Sequence, residues 1–268
     1  MGVSFLSRLC PLFSGSSGNS IYIEHNNEAI LIDAGRNAKQ IEMALFSNNI
    51  DVRKIKSIFV THEHSDHISG IRVFVSRYNL KLYAGEKTLN VMGNMGILNN
   101  KFEYDSINID GVSVGEIHVK PFKTSHDSVE SFGYVVNLGN KKIAVCTDLG
   151  YISNEVEKAL LGCEVVLIES NHDVGMLENG RYPYFLKRRI LSSKGHLSNE
   201  ACANILPKLV NNGAKRFILS HLSSENNIPE LAMQSSISSL REHNMQLNHD
   251  FTLDVAPKFN NNECNVIF

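Results

Sequence analysis

No stretch of the chain approaches the ~18 consecutive apolar residues that a membrane-spanning helix needs. Nothing after the mildly apolar residues 1–13, which carry Arg8, resembles a long apolar core or a small-residue cleavage site. Neither a membrane span nor a signal peptide is therefore expected. The chain also lacks a CxxC pair. Its five cysteines, Cys10, Cys146, Cys163, Cys202 and Cys264, are odd in number and far apart, which excludes a disulfide scaffold and favours a reducing, cytoplasmic setting. Charge excess is missing too: 26 Lys and Arg against 28 Asp and Glu leave a formal charge of −2. Global electrostatics thus single out no partner, and a nucleic-acid role has to come from a local basic patch. There is no internal repeat and no linker rich in Pro or Ser, so one domain is expected over residues 1–268. What is present, 43% apolar and 20% charged residues, is ordinary for a soluble globular protein long enough to bury a sizeable core.

The order of elements is informative. Residues 21–23 and 29–32 flank Asn26 and Asn27, a hairpin signal. Residues 37–48 place Ile41, Ala44 and Leu45 on one helical face. A short buried strand is expected at 57–60, another at 81–84, and a helix at 86–95. Residues 117–122 predict a strand, and 133–138 and 142–146 a hairpin around Gly139 and Asn140. A helix at 154–161 closes on Gly162. Strands at 165–168 and 216–219 alternate with helices at 200–211 and 229–243, the first of which Pro207 is expected to kink or shorten. Strands that both form hairpins and alternate with helices imply a layered α/β sandwich with mixed sheets.

The main chemical signal is Thr61-His62-Glu63-His64-Ser65-Asp66-His67, directly after an apolar strand. A lone histidine is most often a solvated or packed residue. Four potential ligands at this spacing usually mean metal. A regular strand throws alternate residues to opposite faces, so a strand end or loop is the expected carrier. A catalytic site takes N and O ligands from several segments and leaves one position open. Three more candidates stand where a buried strand reaches a loop: His126 in Lys123-Thr-Ser-His-Asp, Asp148 in Cys146-Thr-Asp-Leu-Gly, and His221 in Leu219-Ser-His-Leu-Ser.

This order of ligands resembles that of the metallo-β-lactamase-fold hydrolases, over nearly the whole chain. The resemblance implies a four-layer αββα sandwich with two mixed sheets. It implies that His62, His64 and His126 hold one metal, that Asp66, His67 and His221 hold a second, and that Asp148 bridges them. A hydroxide between the metals then does the hydrolysis, since the two cations lower the pKa of their water. Asp33, in Leu31-Ile-Asp-Ala-Gly, matches a family position that supports the ligand loops, and is as readily a plain strand-end turn. Members that hydrolyse antibiotics use a cysteine in the second site; here Cys146 precedes the aspartate by two residues, so that activity is not expected. The donor set suits zinc, manganese and iron alike.

The finer words Leu12-Phe-Ser-Gly-Ser-Ser-Gly-Asn-Ser20, Glu169-Ser-Asn-His-Asp173, Gly195-His-Leu-Ser-Asn199 and Ser220-His-Leu-Ser-Ser-Glu-Asn-Asn227 are similar to those of the WalJ/YycJ branch of the family. That likeness implies a 5′-to-3′ exonuclease acting on DNA. Asp66, Glu169 and His196 become the catalytic candidates: Glu169, at the end of a buried strand, orients a ligand or the water, and His196 holds a phosphate oxygen or protonates the leaving oxygen beside a helix opening at Asn199. Ser17 and Asn19 lie in a hydroxyl-rich loop that is a tight turn first and a phosphate contact second. His172 is expected to support a ligand from behind. Arg181, Lys187, Arg188, Arg189 and Lys194 form an acid-free basic stretch interleaved with Tyr182, Tyr184 and Phe185, and Arg188, Arg189 and Lys194 are its candidate DNA contacts. Large nucleases of this fold carry an inserted cap, for which residues 149–195 are too few, so grip has to come from loops or from a homodimer. Two other readings use the same residues: a small-molecule hydrolase acting on a thioester, lactone or cyclic phosphodiester, and an interaction protein that kept the fold and lost its activity. A diiron oxidoreductase needs a flavin domain for which no length remains.

Overall fold

The computed structural model describes residues 7–268; the first six residues of the segment weighed above as a signal peptide lie outside the described residues. The chain opens with β1 (Ser7–Phe13), β2 (Ser20–His25) and β3 (Glu28–Ile32). Asn26 and Asn27 both have positive φ, 50° and 68°, which matches the twist of a two-residue hairpin turn between β2 and β3. Next come α1 (Ala38–Ser47), β4 (Ile55–Phe59), α2 (Ser65–Ile68), α3 (Ile71–Tyr78), β5 (Lys81–Ala84), α4 (Glu86–Asn94) and β6 (Tyr104–Ser106). The second half contains β7 (Val112–Val114), β8 (Ile117–Lys123), β9 (Phe132–Leu138), β10 (Lys141–Cys146), α5 (Asn154–Leu160), β11 (Val165–Glu169), α6 (Val174–Asn179), α7 (Tyr184–Ile190), α8 (Asn199–Asn211), β12 (Arg216–Ser220), α9 (Pro229–Glu242), β13 (Thr252–Val255) and β14 (Val266–Ile267).

Two sheets result, in the orders β14-β1-β2-β3-β4-β5-β6 and β13-β12-β11-β10-β9-β8-β7. Each is mixed. The hairpin strands pair antiparallel, whereas β3 to β6 and β10 to β13 run parallel through helical crossovers. Side-chain alternation then sorts the core into three layers. Ile21, Ile23, Ile30, Ile32 and Phe59 of the first sheet meet Val119, Tyr134, Val136, Val145 and Ile218 of the second. The outer face of the first sheet, with Tyr22, Leu31 and Ile58, packs on Ile41, Leu45 and Phe74 of α1 and α3. The outer face of the second, with Val166, Ile168 and Leu219, packs on Leu160, Leu206 and Leu240 of α5, α8 and α9. Each such fully buried side chain contributes roughly 1.5–3 kcal/mol. The architecture is the αββα sandwich expected from the sequence.

Of the two effects expected of Pro207, shortening does not occur: α8 runs on to Asn211. Nor does the proline leave a stray acceptor behind. A proline at 207 frees the carbonyl of Ala203, and the Ser239 hydroxyl of α9 donates to that oxygen at 3.0 Å. A second difference lies at the histidine cluster, which is not all loop: α2 begins inside it. Helix α3 lacked a clear signal because Ile71-Arg-Val-Phe-Val is rich in β-branched residues; buried Ile71, Phe74 and Val75 give it a helical face, and Asn79 in the left-handed region ends it. Among the described residues no helix is long and apolar enough to cross a membrane, and no disulfide forms: the five cysteines are free and buried.

The parallel strands place the chemistry. The carboxyl ends of β3, β4, β8, β10, β11 and β12 open onto one edge of the sandwich, and Asp33, His62, His126, Asp148, Glu169 and His221 all stand within three residues of those ends.

Candidate metal centre

Asp33 follows β3 with φ 61°, a left-handed conformation costing roughly 1–2 kcal/mol in a non-glycine residue. The turn drives its carboxylate beneath the histidine loop, where it is fully buried. Oδ1 accepts from the Thr61 amide at 2.8 Å, and Oδ2 accepts from the Thr61 hydroxyl at 2.9 Å and from His67 Nδ1 at 2.7 Å. Of the two uses expected for Asp33, the geometry is the supporting one. Burial alone would keep His67 neutral, but the carboxylates of Asp33 and Asp148 outweigh it and push its pKa well above the usual imidazole value.

After β4 the chain passes His62, then turns at His64 into α2, closed by the His67 amide donating to the His64 carbonyl at 2.9 Å. One turn of helix thereby brings Asp66 and His67 round to face His62. The backbone of this turn lies against Gly35, where an added Cβ would sit 1.6 Å from the Asp66 carbonyl oxygen. Glycine in Leu31-Ile-Asp-Ala-Gly is therefore required by close approach.

The second sheet supplies the rest. His126, three residues past β8, donates from Nδ1 to the Gly195 carbonyl at 3.1 Å. Asp148 and His221 follow β10 and β12 with φ 57° and 59°. Strained backbone at two such side chains fits a functional constraint, since strain persists where the surroundings enforce it. Glu169, the last residue of β11, is fully buried. Its Oε1 accepts from Nδ1 of both His196 and His221 at 2.8 Å, and its Oε2 from the amides of Leu149 and Leu197 at 3.0 Å. Burial opposes its charge, yet the two histidines hold its pKa well below the usual carboxylate range. Sequence placed Glu169 among the catalytic candidates; its oxygens are fully engaged behind two imidazoles.

These contacts have one common consequence. An ionised carboxylate or a carbonyl only accepts, so the protons of His67, His126, His196 and His221 are fixed on Nδ1. In His62 the same nitrogen faces the Thr61 hydroxyl at 3.0 Å. The Nε2 atoms then face one another across a shared space, as in metal sites whose ligand histidines are held from behind. Donor atoms of His62, His64 and His126 lie within 4.8 Å of one another, as do those of Asp66, His67 and His221, and those of His62, His67 and Asp148. His62 Nε2, His221 Nε2 and Asp148 Oδ2 are buried without a hydrogen-bond partner. Burial also holds the His62 pKa well below its ordinary value, leaving a neutral imidazole. Orphaned buried donors and acceptors of this kind cost ~1–3 kcal/mol each unless something fills the space, and this donor set suits divalent cations. No cysteine joins it: Cys146 is buried away, its thiol pushed well up by burial.

The other residues singled out from sequence are distributed unevenly. His196 and Asp66 are part-exposed, with side chains 15% and 21% exposed, and His64 is half-buried as well. Asn19 points inward: Oδ1 accepts from the Gly15 amide and Nδ2 donates towards Asp66 Oδ2 at 3.3 Å and His67 Nε2 at 3.1 Å. Ser17 is exposed, and its hydroxyl accepts from Arg36 at 2.7 Å. His172 is buried with neither ring nitrogen bonded to any described residue, so it makes no contact of the supporting kind expected of it; burial holds its pKa down to about 4. Arg188, Arg189 and Lys194 are exposed. Arg189 is not free: its guanidinium grips the Asp127 carboxylate, one of the two contacts measuring 3.1 Å. The opening of α8 caps itself through Ser198, whose hydroxyl accepts from the Ala201 amide. Sequence reading missed Thr61, Asp127 and Arg36. Thr61 lies inside the motif and had a signal; the other two are single charges without one.

Comparison with known proteins agrees with this geometry. Residues 28–222 match the family model described as beta-lactamase superfamily domain. The chain is 38% identical to the exodeoxyribonuclease YycJ of Bacillus anthracis, over 92% of this chain and 94% of that one. It is also 38% identical to the exodeoxyribonuclease WalJ of Streptococcus pneumoniae, over 92% and 93%. Among solved structures, the metallo-beta-lactamase fold protein YhfI from Bacillus subtilis superposes with a TM-score of 0.71 at 13% identity, covering 99% of both chains, a likeness of fold.

Proposed function

The chain belongs to the beta-lactamase superfamily, in the branch of the YycJ and WalJ exodeoxyribonucleases, and from that premise we propose that it is a dinuclear-metal phosphodiesterase, a 5′-to-3′ exonuclease acting on DNA. The observation that carries the reading is the convergence of seven side chains on a space lined by unpartnered Nε2 and carboxylate atoms. His62, His64 and His126 would hold one cation and Asp66, His67 and His221 the other, with Asp148 between them. Such a pair, zinc or manganese with iron also suited, would supply an activated water and would neutralise charge on the attacking and leaving oxygens of an in-line displacement.

This chain's own residues do the remaining work. Asp33 and Glu169 hold His67 and His221 by Nδ1, so that their Nε2 atoms stay aimed inward. Glu169 does the same for His196, which stands on the open side with Nε2 free to contact a phosphate oxygen or give a proton to the leaving oxygen. Asp66, also on the open side, presents a carboxylate whose pKa is held well below its usual range by His221 and His67 against the cost of burial. Arg188 and Lys194 add positive charge at the rim for the polyanion. An open rim of this kind suits a polymer better than the closed apolar pocket that a small-molecule hydrolase would need. The cluster is complete within one chain, and grip on the polymer is left to the chain's own loops or to a homodimer. Five buried free thiols support a reducing, cytoplasmic location.

The test is degradation of a labelled duplex with 5′-phosphate ends in the presence of manganese or zinc. Shortening from the 5′ end that stops with chelator and with His62→Ala supports the reading. Intact duplex, or equal activity in His62→Ala, overturns it.

A further inference from the structure

The first turn of α7 carries two neighbouring aromatic rings, Tyr184 and Phe185, that are 75% and 74% exposed. Leaving both in water forgoes burial that the fold offers elsewhere, and α7 is not a loose segment that merely strays into solvent. Ile190 is buried, Lys187 Nζ donates to the Glu178 carbonyl at 2.8 Å, and Arg189 is tied to Asp127. Asp127 adjoins His126, whose Nε2 lies 3.3 Å from its carboxylate. The turn after α7 is fixed just as firmly: the His196 amide donates to the Ile190 carbonyl at 3.0 Å, and the Ser125 hydroxyl donates to the Ser193 carbonyl at 2.6 Å. The helix is thus bolted to the loops that carry His126 and His196.

Helical spacing then aligns the exposed groups. Phe185 and Arg189 share a face, and so do Tyr184 and Arg188, each pair one turn or ~5.4 Å apart along the axis. The Arg188 guanidinium lies 5.8 Å from the centroid of the Tyr184 ring. Arg189 is at the rim beside His126, so the rings stand about one turn further along the helix, on the scale of one nucleotide. Residues 181–194 include five cations and no acid. Cations for the backbone beside aromatic faces for the bases are the composition of a single-strand platform.

We propose that Tyr184 and Phe185 are a stacking platform for unpaired bases of the DNA strand feeding the metal centre, so that the protein prefers frayed or overhanging 5′ ends to closed duplex ends. The proposal deepens the nuclease reading and rests on it. Arg188 backs the Tyr184 ring while Arg189, engaged with Asp127, positions the helix rather than the DNA.

Two readouts separate this claim from its premise. The first is binding of a single strand carrying 2-aminopurine near its 5′ end, measured in chelator, where no cleavage occurs. Stacking quenches the probe for the intact protein, and the Tyr184→Ala/Phe185→Ala double variant loses the quench with affinity weakened about tenfold or more. The Tyr184→Phe and Phe185→Tyr variants retain it. The second is cleavage: the double variant raises KM on 5′-overhang substrates by a similar factor, leaves kcat within about twofold, and changes blunt ends less. Melting temperature stays unchanged, because the rings are exposed. Wild-type cleavage with an unaltered KM in the double variant overturns the platform and leaves the nuclease standing. Quenched binding without any cleavage does the reverse. Absence of quench in the intact protein, or a change of oligomeric state in the double variant that assigns the rings to a contact between copies, also overturns it.

Discussion

Replacing Glu169 by Gln removes a single charge and almost no volume, so it isolates what the buried carboxylate does. Four donors converge on it: two imidazole N–H groups and two backbone amides. An amide accepts only through its oxygen. If that oxygen faces the histidines, the new NH2 group confronts the amides of Leu149 and Leu197. If it faces the amides, the NH2 group meets the Nδ1–H groups of His196 and His221. Either way two buried donors lose their acceptor, at ~1–3 kcal/mol each. The metal-free variant should be destabilised by roughly 3–5 kcal/mol, as when one partner of a buried charged network is removed, with melting lowered on the order of 10 °C. Affinity for the cation that His221 helps to hold should fall about 10–100-fold, the usual effect of removing a group that orients a ligand. Thermal melts with chelator and competitive metal titrations with a fluorescent chelator measure the two effects separately. A Glu169→Gln protein with wild-type melting and metal affinity within twofold would refute the idea that this carboxylate sets the tautomers.

Metal affinity should rise with pH. In the metal-free protein, burial disfavours the His221 cation, but Asp148, Asp66 and Glu169 outweigh it and raise the pKa to about 10 from 6.5. A raised value stabilises the metal-free fold fully below 6.5, and that stability is lost as pH rises through 10. A cation at Nε2 has to displace the proton, so calorimetry at neutral pH in buffers of different ionisation heat should detect proton release, and no dependence on buffer would contradict the assignment. Ser239→Ala should cost ~1–2 kcal/mol in urea unfolding by orphaning the Ala203 carbonyl next to Pro207, whereas an unchanged midpoint would mean water replaces the hydroxyl. Arg188→Ala and Lys194→Ala should each weaken DNA binding evenly across sequences and reduce the salt slope by about one, and a slope unchanged in both would remove them from the phosphate contacts.

The candidate ligands were legible because their chemistry is local. Few side chains bind cations, and strand ends next to apolar runs are where the chain delivers them, so His62, His64, Asp66, His67, His126, Asp148 and His221 stood out from type and position alone. Their supports were less so. Glu169 was noticed as the polar end of a buried strand, but its engagement by His196 and His221 depends on residues 27 and 52 positions away. Asn19 read as part of a tight turn first and a phosphate contact second; its oxygen closes that turn on the Gly15 amide, while the direction of its NH2 group, towards Asp66, depends on a residue 47 positions away. Arg189 read as a free cation until the fold supplied Asp127. Pro207 shows the same limit: the hydroxyl that satisfies the acceptor it frees is 36 residues distant and on another helix. Sequence carries propensity and donor type, whereas the partner of a buried polar group is a property of packing.

The central claim is most directly tested by anomalous diffraction from crystals of the protein soaked in manganese. Two peaks should appear, one against His62, His64 and His126 and one against Asp66, His67 and His221, with Asp148 reaching both. No peak among these side chains at full soaking, or ions bound only elsewhere on the surface, would contradict the account.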